Sequence, residues 1–223
     1  MTFYLRPDDN RVRMLFTAID DRNREKLYCV PLTSLKAIRN GSILQLCRSS
    51  SSDGSFWLWA RLKFVHYERL VLFYSTFVAL KRQDNHGTHP KLLEEPRDMD
   101  DEEHFGGVIR AGQGMLHALR LFECRGSKAI RLEARPFQSS REEVPIWTAF
   151  LTKYVIQRDQ YFFDLESDLR VVMTKPKPEP FVFVSGFALP QARNGSDYVL
   201  TFDTKDGKCL TGCDLSCLIA ESG

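Results

Sequence analysis

The sequence predicts a mainly β protein: two antiparallel barrel or sandwich modules joined by an acidic linker, with little helix. Three observations predict it. The run from Phe56 to Lys63 alternates, with Phe56, Leu58, Ala60 and Leu62 apolar and Trp57, Trp59, Arg61 and Lys63 between them. Period two over that length is a strand with two unlike faces, one apolar and one aromatic and basic. Sixteen Phe, seven Tyr and three Trp fall mainly in such alternating runs, which favours strand over helix. The runs also form two groups, separated by the polar stretch RQDNHGTHPKLLEEPRDMDDEEHFGG from Arg82 to Gly107.

The elements follow in order. Val12 to Ile19 reads as a strand, and Asp20 to Glu25 as a polar turn. Lys26 to Val30 is a second strand ended by Pro31, which cannot donate to a ladder. Leu32 to Ile38 fits no single pattern. Asn40-Gly41 is a turn, since both residues tolerate positive φ. Ile43 to Cys47 is the next strand, and Arg48 to Ser55, with four consecutive serines and Asp53-Gly54, is a loop. After Phe56 to Val65, the residues His66 to Arg69 break the alternation. The β-branched and aromatic run Leu70 to Leu80 is then expected to form the second strand of a hairpin. These elements make the N-terminal module, residues 1–83.

Residues 84–107 are the expected linker, and 108–223 the second module. In the latter, Leu116 to Cys124 pairs with Lys128 to Arg135 across Arg125-Gly126-Ser127, with Leu119 and Leu121 answering Ile130 and Leu132. Pro145 to Ile156 fits both a helix face and a strand, and its β-branched and aromatic content assigns it to strand. Tyr161 to Asp164, Leu169 to Met173, Phe181 to Leu189 and Tyr198 to Asp203 are further strands. Lys175 to Pro180 is expected to be extended polyproline II. Asp206-Gly207 is a hairpin turn, and Asp214 caps a last helical turn.

Composition limits function. The net charge of +2 supplies no global field for nucleic acid, which argues against that partner. No apolar run approaches the ~20 residues that span a bilayer, and the N-terminus lacks the order of a secretory signal. The chain is therefore expected to be cytoplasmic or nuclear, neither secreted nor transmembrane. Six Cys in 223 residues do not make a disulfide scaffold. Cys29, Cys47 and Cys124 read as free thiols in strands. Cys209, Cys213 and Cys217, spaced by four, lack the closer pairs and fourth ligand of a structural zinc site. His86, His89 and His104 beside the acidic cluster, and His66 and His117 elsewhere, read as ordinary polar residues. There is no G-x-S-x-G, no phosphate-binding glycine loop with its lysine, and no carboxylate pair spaced for glycoside chemistry. No metal, cofactor or catalytic residue is expected.

Three groups remain as binding candidates. Trp57, Trp59, Arg61 and Lys63 form one aromatic and basic strand face. Arg22, Arg24 and Lys26, with Arg11 and Arg13, give the first hairpin a cationic tip. Glu94, Glu95, Asp98, Asp100, Asp101, Glu102 and Glu103 form an acidic strip that serves either as a self-repelling spacer or as a docking strip for a basic partner.

The succession KLYCVPLTSL, ILQLCR and FWLWARLKFVHYERLVLFYSTFVALK resembles that of pleckstrin-homology-like (PH-like) barrels. It is also similar to a group of filamentous-fungal proteins in which RLVLFYSTFVAL-type segments precede an acidic linker. The similarity covers Val12 to Gln83 and, more faintly, Ala118 to Glu221. A PH domain closes one barrel end with a C-terminal amphipathic helix, whereas this chain enters a polar segment after Lys81. Either the second module caps the first barrel or the assignment fails. The resemblance implies a non-enzymatic scaffold module that binds a protein partner through β surfaces. Tandem PH-like modules with acidic stretches occur in histone chaperones, which implies a basic, histone-like partner as one version. The alternative is a peripheral membrane module that binds phosphoinositide, an anionic lipid, through Arg11, Arg13, Arg22, Arg24 and Lys26.

Overall fold

The computed structural model describes residues 1–49, 55–84, 101–110, 114–137, 145–151, 163–167, 169–174, 179–192, 195 and 197–204, with backbone only for 104–106 and 163–167. The chain divides into two compact units, Met1–Met99 and Asp100–Gly223.

Among the described residues the first unit holds two antiparallel three-stranded sheets. One is β1 (Thr2–Arg6), β2 (Arg11–Ile19) and β3 (Glu25–Pro31); the other is β4 (Leu35–Asn40), β5 (Ile43–Ser49) and β6 (Phe56–Lys63). A 3-10 turn, Leu32–Ser34, links them, which explains why Leu32 to Ile38 matched no single pattern. Alternation sets the inward faces: Val12, Met14, Leu35, Ala37, Leu44 and Leu46 are buried. The β2–β3 turn is built by Asp20, whose carboxylate accepts the backbone N–H groups of Arg22 and Arg24, both at 2.9 Å. Asn23 takes the positive φ that the turn needs.

The expected strand at Leu70 to Leu80 is instead helix α1 (Tyr67–Gln83). Nearly every residue there is apolar or β-branched, so the run shows no helical period to the eye. Burial reveals one: Val71, Ser75 and Ala79 are buried at spacing four, with Leu70, Phe77, Val78 and Lys81 beside them. Tertiary packing decides over propensity. Phe73 meets Phe3 at 5.2 Å and Phe64 at 5.6 Å between ring centroids. Glu68 in the first turn and Lys81 and Arg82 in the last suit the helix dipole. Just past the helix, Asp84 accepts the buried Val12 N–H at 2.9 Å, tying the helix end to β2. The C-terminal helix that a PH domain requires is thus this segment, and the first unit supplies its own.

Among the described residues the second unit forms one antiparallel sheet of eight strands, in the order β11 (Phe163–Ser167), β12 (Arg170–Met173), β14 (Tyr198–Phe202), β7 (Asp101–Arg110), β8 (Leu116–Cys124), β9 (Ile130–Pro136), β10 (Trp147–Leu151) and β13 (Phe181–Val182). The β8–β9 hairpin forms as the alternation requires, with Leu121 opposite Leu132 and Arg120 opposite Glu133. Ile109, Leu119, Leu121, Leu132, Ala149 and Phe202 belong to one buried apolar cluster. Two expectations change. β7 starts at Asp101, so the expected 84–107 linker is strand from that residue onward. Strand structure at Phe181 stops at Val182, where the chain bends toward Gly186, which has positive φ. Thr2–Arg6 adds a strand ahead of the expected ones, paired along β2. Lys175 to Pro178 of the polyproline segment, the Asp206-Gly207 turn and the Asp214 helical turn lie outside the described residues.

Candidate functional site

The expected aromatic and basic face is divided by a β-bulge. In the β5–β6 pairing, Leu46 faces Ala60 but Cys47 faces Leu58, leaving Trp59 as the extra residue. One extra residue reverses the alternation on its far side. Leu62 and Ala60 lie opposite Leu44 and Leu46 and so belong to the inward face. Beyond the bulge Trp57, opposite Arg48, takes the side of Leu44 and Leu46, where it stays exposed at the strand's end. Phe56 and Leu58 turn outward, onto the face that carries Arg61 and Lys63. Trp57, Trp59, Arg61 and Lys63 therefore do not share one surface. Trp59 is half-buried and presents its ring to the edge of Phe16, 5.1 Å away, which itself stacks on Tyr28 at 4.9 Å.

The start of β6 is nevertheless an exposed apolar strip. Phe56, Trp57 and Leu58 are 38%, 47% and 43% exposed. Cations rest on its rings: Lys36 Nζ lies 5.3 Å from the Phe56 centroid, and Arg48 Cζ 5.8 Å from that of Trp57. Such placement keeps a cation beside an aromatic face without a carboxylate. Arg61 and Lys63 are exposed further along the strand.

The expected cationic tip is not one cluster: Arg22, Arg24 and Lys26 flank the β2–β3 turn, whereas Arg11 and Arg13 lie at the other end of β2, Arg13 opposite Pro31, and both groups are largely answered by side-chain partners. Arg24 and Lys26 both reach Asp20, at 2.9 and 3.2 Å. Arg13 bonds Asp9 at 2.6 Å, and Arg11 donates to Thr33 Oγ1 at 3.2 Å. Hydrogen bonds from Arg13 hold the Asp9 carboxyl well below the ordinary carboxylate range. Backbone donation from Arg24, then its side chain and Lys26, lowers Asp20 likewise. Both acids stay ionised at neutral pH, so these pairs persist. Arg22 is exposed at the turn.

The acidic strip is partly internal. The Asp101 side chain is 2% exposed and lies against Arg131, inside a buried chain of alternating charge. Arg131 Nε donates to Glu133 Oε1 at 2.8 Å, and Arg135 Nη2 donates to Glu133 Oε2 at 2.6 Å. Phe122 carries the Arg131 guanidinium 4.5 Å from its ring centroid. Burial alone would raise Glu133; the two guanidiniums outweigh it and hold the carboxyl at about 2. Glu102 and Glu103 approach Arg125 and Arg120 at 3.5 and 3.6 Å. Glu94, Glu95, Asp98 and Asp100 lie outside the described residues, as do His86, His89, Cys209, Cys213 and Cys217.

His66 precedes α1 without capping it through its side chain. His117 is buried beside Phe187, its ring centroid 5.5 Å away, and burial pushes its pKa down. The alternation of β8 signals that burial, because His117 has the same parity as Leu119 and Leu121 and so falls on their inward face. Among the described residues no three His, Cys, Asp or Glu gather as a metal site would require. No helix among them is long and apolar enough to cross a membrane.

No curated protein and no solved structure matches the chain. Residues 1–100 match a family model described as a PH domain found in tandem in fungal proteins, and residues 102–209 match a second model of the same description. The matches meet where the compact units divide, and the first includes α1. The chain belongs to the family of fungal proteins that carry two PH domains in tandem.

Proposed function

We propose that the chain is a non-enzymatic interaction and scaffold module that binds a protein partner through its β surfaces. Tandem PH-like domains suggest such a module. The carrying observation is the start of β6, beside the bulge, where Phe56 and Leu58 on one face and Trp57 on the other are all left exposed. Contiguous apolar exposure costs solubility and is retained where something covers it. A basic, chromatin-type partner is the version that would engage Glu94, Glu95, Asp98, Asp100, Glu102 and Glu103. Asp101 takes no part in it, being held by Arg131. Affinity capture with mass spectrometry tests the reading. A specific protein should be enriched by the native chain and lost with Phe56→Ser, Trp57→Ser and Leu58→Ser combined. Neutralising the acidic residues should weaken a basic partner. Absence of any enriched protein overturns the reading.

The phosphoinositide alternative keeps one supporting observation, the exposed Arg22 at the β2–β3 tip. Against it, Asp9 and Asp20 already occupy Arg13, Arg24 and Lys26. Liposome sedimentation decides it: binding to anionic vesicles lost in Arg22→Glu with Arg24→Glu supports the alternative, and no binding removes it.

A further inference from the structure

The sheet β4–β5–β6 has a one-sided charge. Its strands carry Lys36, Arg39, Arg48, Arg61 and Lys63 and no Asp or Glu. Between Leu35 and Lys63 the sequence contains a single carboxylate, Asp53. The whole chain is nearly balanced, with 31 basic and 29 acidic residues, so this bias is local. Three of these cations lie on rings: Lys36 on Phe56, Arg48 on Trp57 and Arg39 on Tyr67, at 5.0 to 5.8 Å.

Register places Lys36, Arg61 and Lys63 on the outward face. Lys36, Cys47 and Leu58 form one cross-strand row; Ile38, Gln45 and Arg61 the next; Asn40, Ile43 and Lys63 the third. Phe56, opposite Ser49, precedes them. Because the bulge at Trp59 turned Phe56 and Leu58 outward, this face carries two apolar side chains and then two cations along β6. Successive rows on one face are roughly 7 Å apart. That is also the spacing of alternate side chains in an extended peptide.

We propose that this outward face of β4–β5–β6 docks an extended acidic segment of a partner protein, with an apolar side chain against Phe56 and Leu58 and carboxylates at alternate positions against Arg61 and Lys63. The inference rests on the protein-binding reading above and names its partner class. Charge complementarity selects an anionic occupant. Single-stranded nucleic acid fits less well, because Phe56 and Trp57 lie on opposite faces of β6 and offer successive bases no shared stacking platform. A bilayer fits less well, because the apolar side chains lie along a strand rather than on a protruding tip.

The test is fluorescence anisotropy with the full chain and a labelled peptide that alternates glutamate and serine and ends in leucine. The native chain should bind it, and a lysine-for-glutamate version should not bind. Arg61→Glu with Lys63→Glu should weaken binding about tenfold or more, and Leu58→Ser should weaken it separately. Each variant is first shown by circular dichroism to keep the native spectrum. Peptide binding unchanged in both variants overturns the proposal. So does stronger binding of phosphatidylserine vesicles or of a single-stranded oligonucleotide that the same variants abolish. Capture from cell extract separates this failure from that of the broader reading. If native and charge-reversed chains capture the same protein equally, the sheet assignment fails while the module reading stands. If neither captures any, both fail.

Discussion

At the scale of single residues, the buried charge chain of the second unit sets the sharpest expectations. Glu133 lies between Arg131 and Arg135, and its removal would leave guanidinium charge buried with less compensation. Glu133→Gln is expected to destabilise the second unit by about 3–5 kcal/mol, read from urea unfolding. The same group sets an acid limit. Its folded pKa is depressed from near 4.5 to about 2, so the unfolded chain binds the proton first as pH falls. The stability it confers is complete above about pH 4.5 and is lost as pH drops toward 2. Thermal melts across that window should show the loss, and Glu133→Gln should flatten it. His117 acts at milder pH. Burial lowers its pKa, so protonation again favours the unfolded chain, and stability should fall as pH drops below its ordinary value of 6.5. His117→Gln should reduce that slope in melts between neutral and mildly acid pH; an unchanged slope would remove His117 as its source.

At the scale of elements, α1 and the Trp59 bulge are where alternation misleads. Leu70 to Leu80 has the composition of a strand, and no local rule distinguishes it from one when nearly every position is apolar or β-branched. What makes it helical is nonlocal: Phe3 and Phe64 receive Phe73, and Val12 is bound by Asp84. Two substitutions check that account. Phe77, fully buried in α1, should cost about 3–5 kcal/mol as Phe77→Ala. Asp84→Ala should cost about 1–3 kcal/mol, because it strands the buried Val12 N–H. An Asp84→Ala protein with unchanged midpoint in chemical denaturation would show that this tie is not needed. The bulge is equally illegible: nothing in FWLWARLK says that Trp59 is the residue left over. Its location follows from which residue can meet Phe16 while Ala60 and Leu62 stay opposite Leu46 and Leu44. By contrast the β8–β9 hairpin was legible, because Leu119, Leu121, Leu132 and Glu133 alternate cleanly around a glycine turn.

At the scale of the molecule, each unit has its own sheets and its own buried apolar set. A chain ending at Met99 retains α1 and both three-stranded sheets, and is expected to unfold cooperatively by circular dichroism. A version ending at Gln83 loses Asp84 and should be less stable. A gradual, uncooperative melt of the longer piece would show that the first unit does not stand alone. The candidate surfaces divide by the same logic. Their residue types were visible in the sequence, since tryptophans, arginines and the acidic run stand out. Their partnerships were not: Asp101 became internal, Arg24 at the tip found Asp20 while Arg13 at the far end of β2 found Asp9, and the β6 face exchanged Trp57 for Phe56 and Leu58.

The amino-acid order by itself determined the mainly β class, the two-part division, most strands of the first unit and the PH-like resemblance. These depend on side-chain period and turn chemistry, which are local. Only the tertiary structure decided that Tyr67–Gln83 is helix, that β7 begins inside the acidic run, and which side of β6 faces outward. Each of those depends on a partner distant in the chain, and the free energy of meeting that partner exceeds the small local preference that the sequence displays.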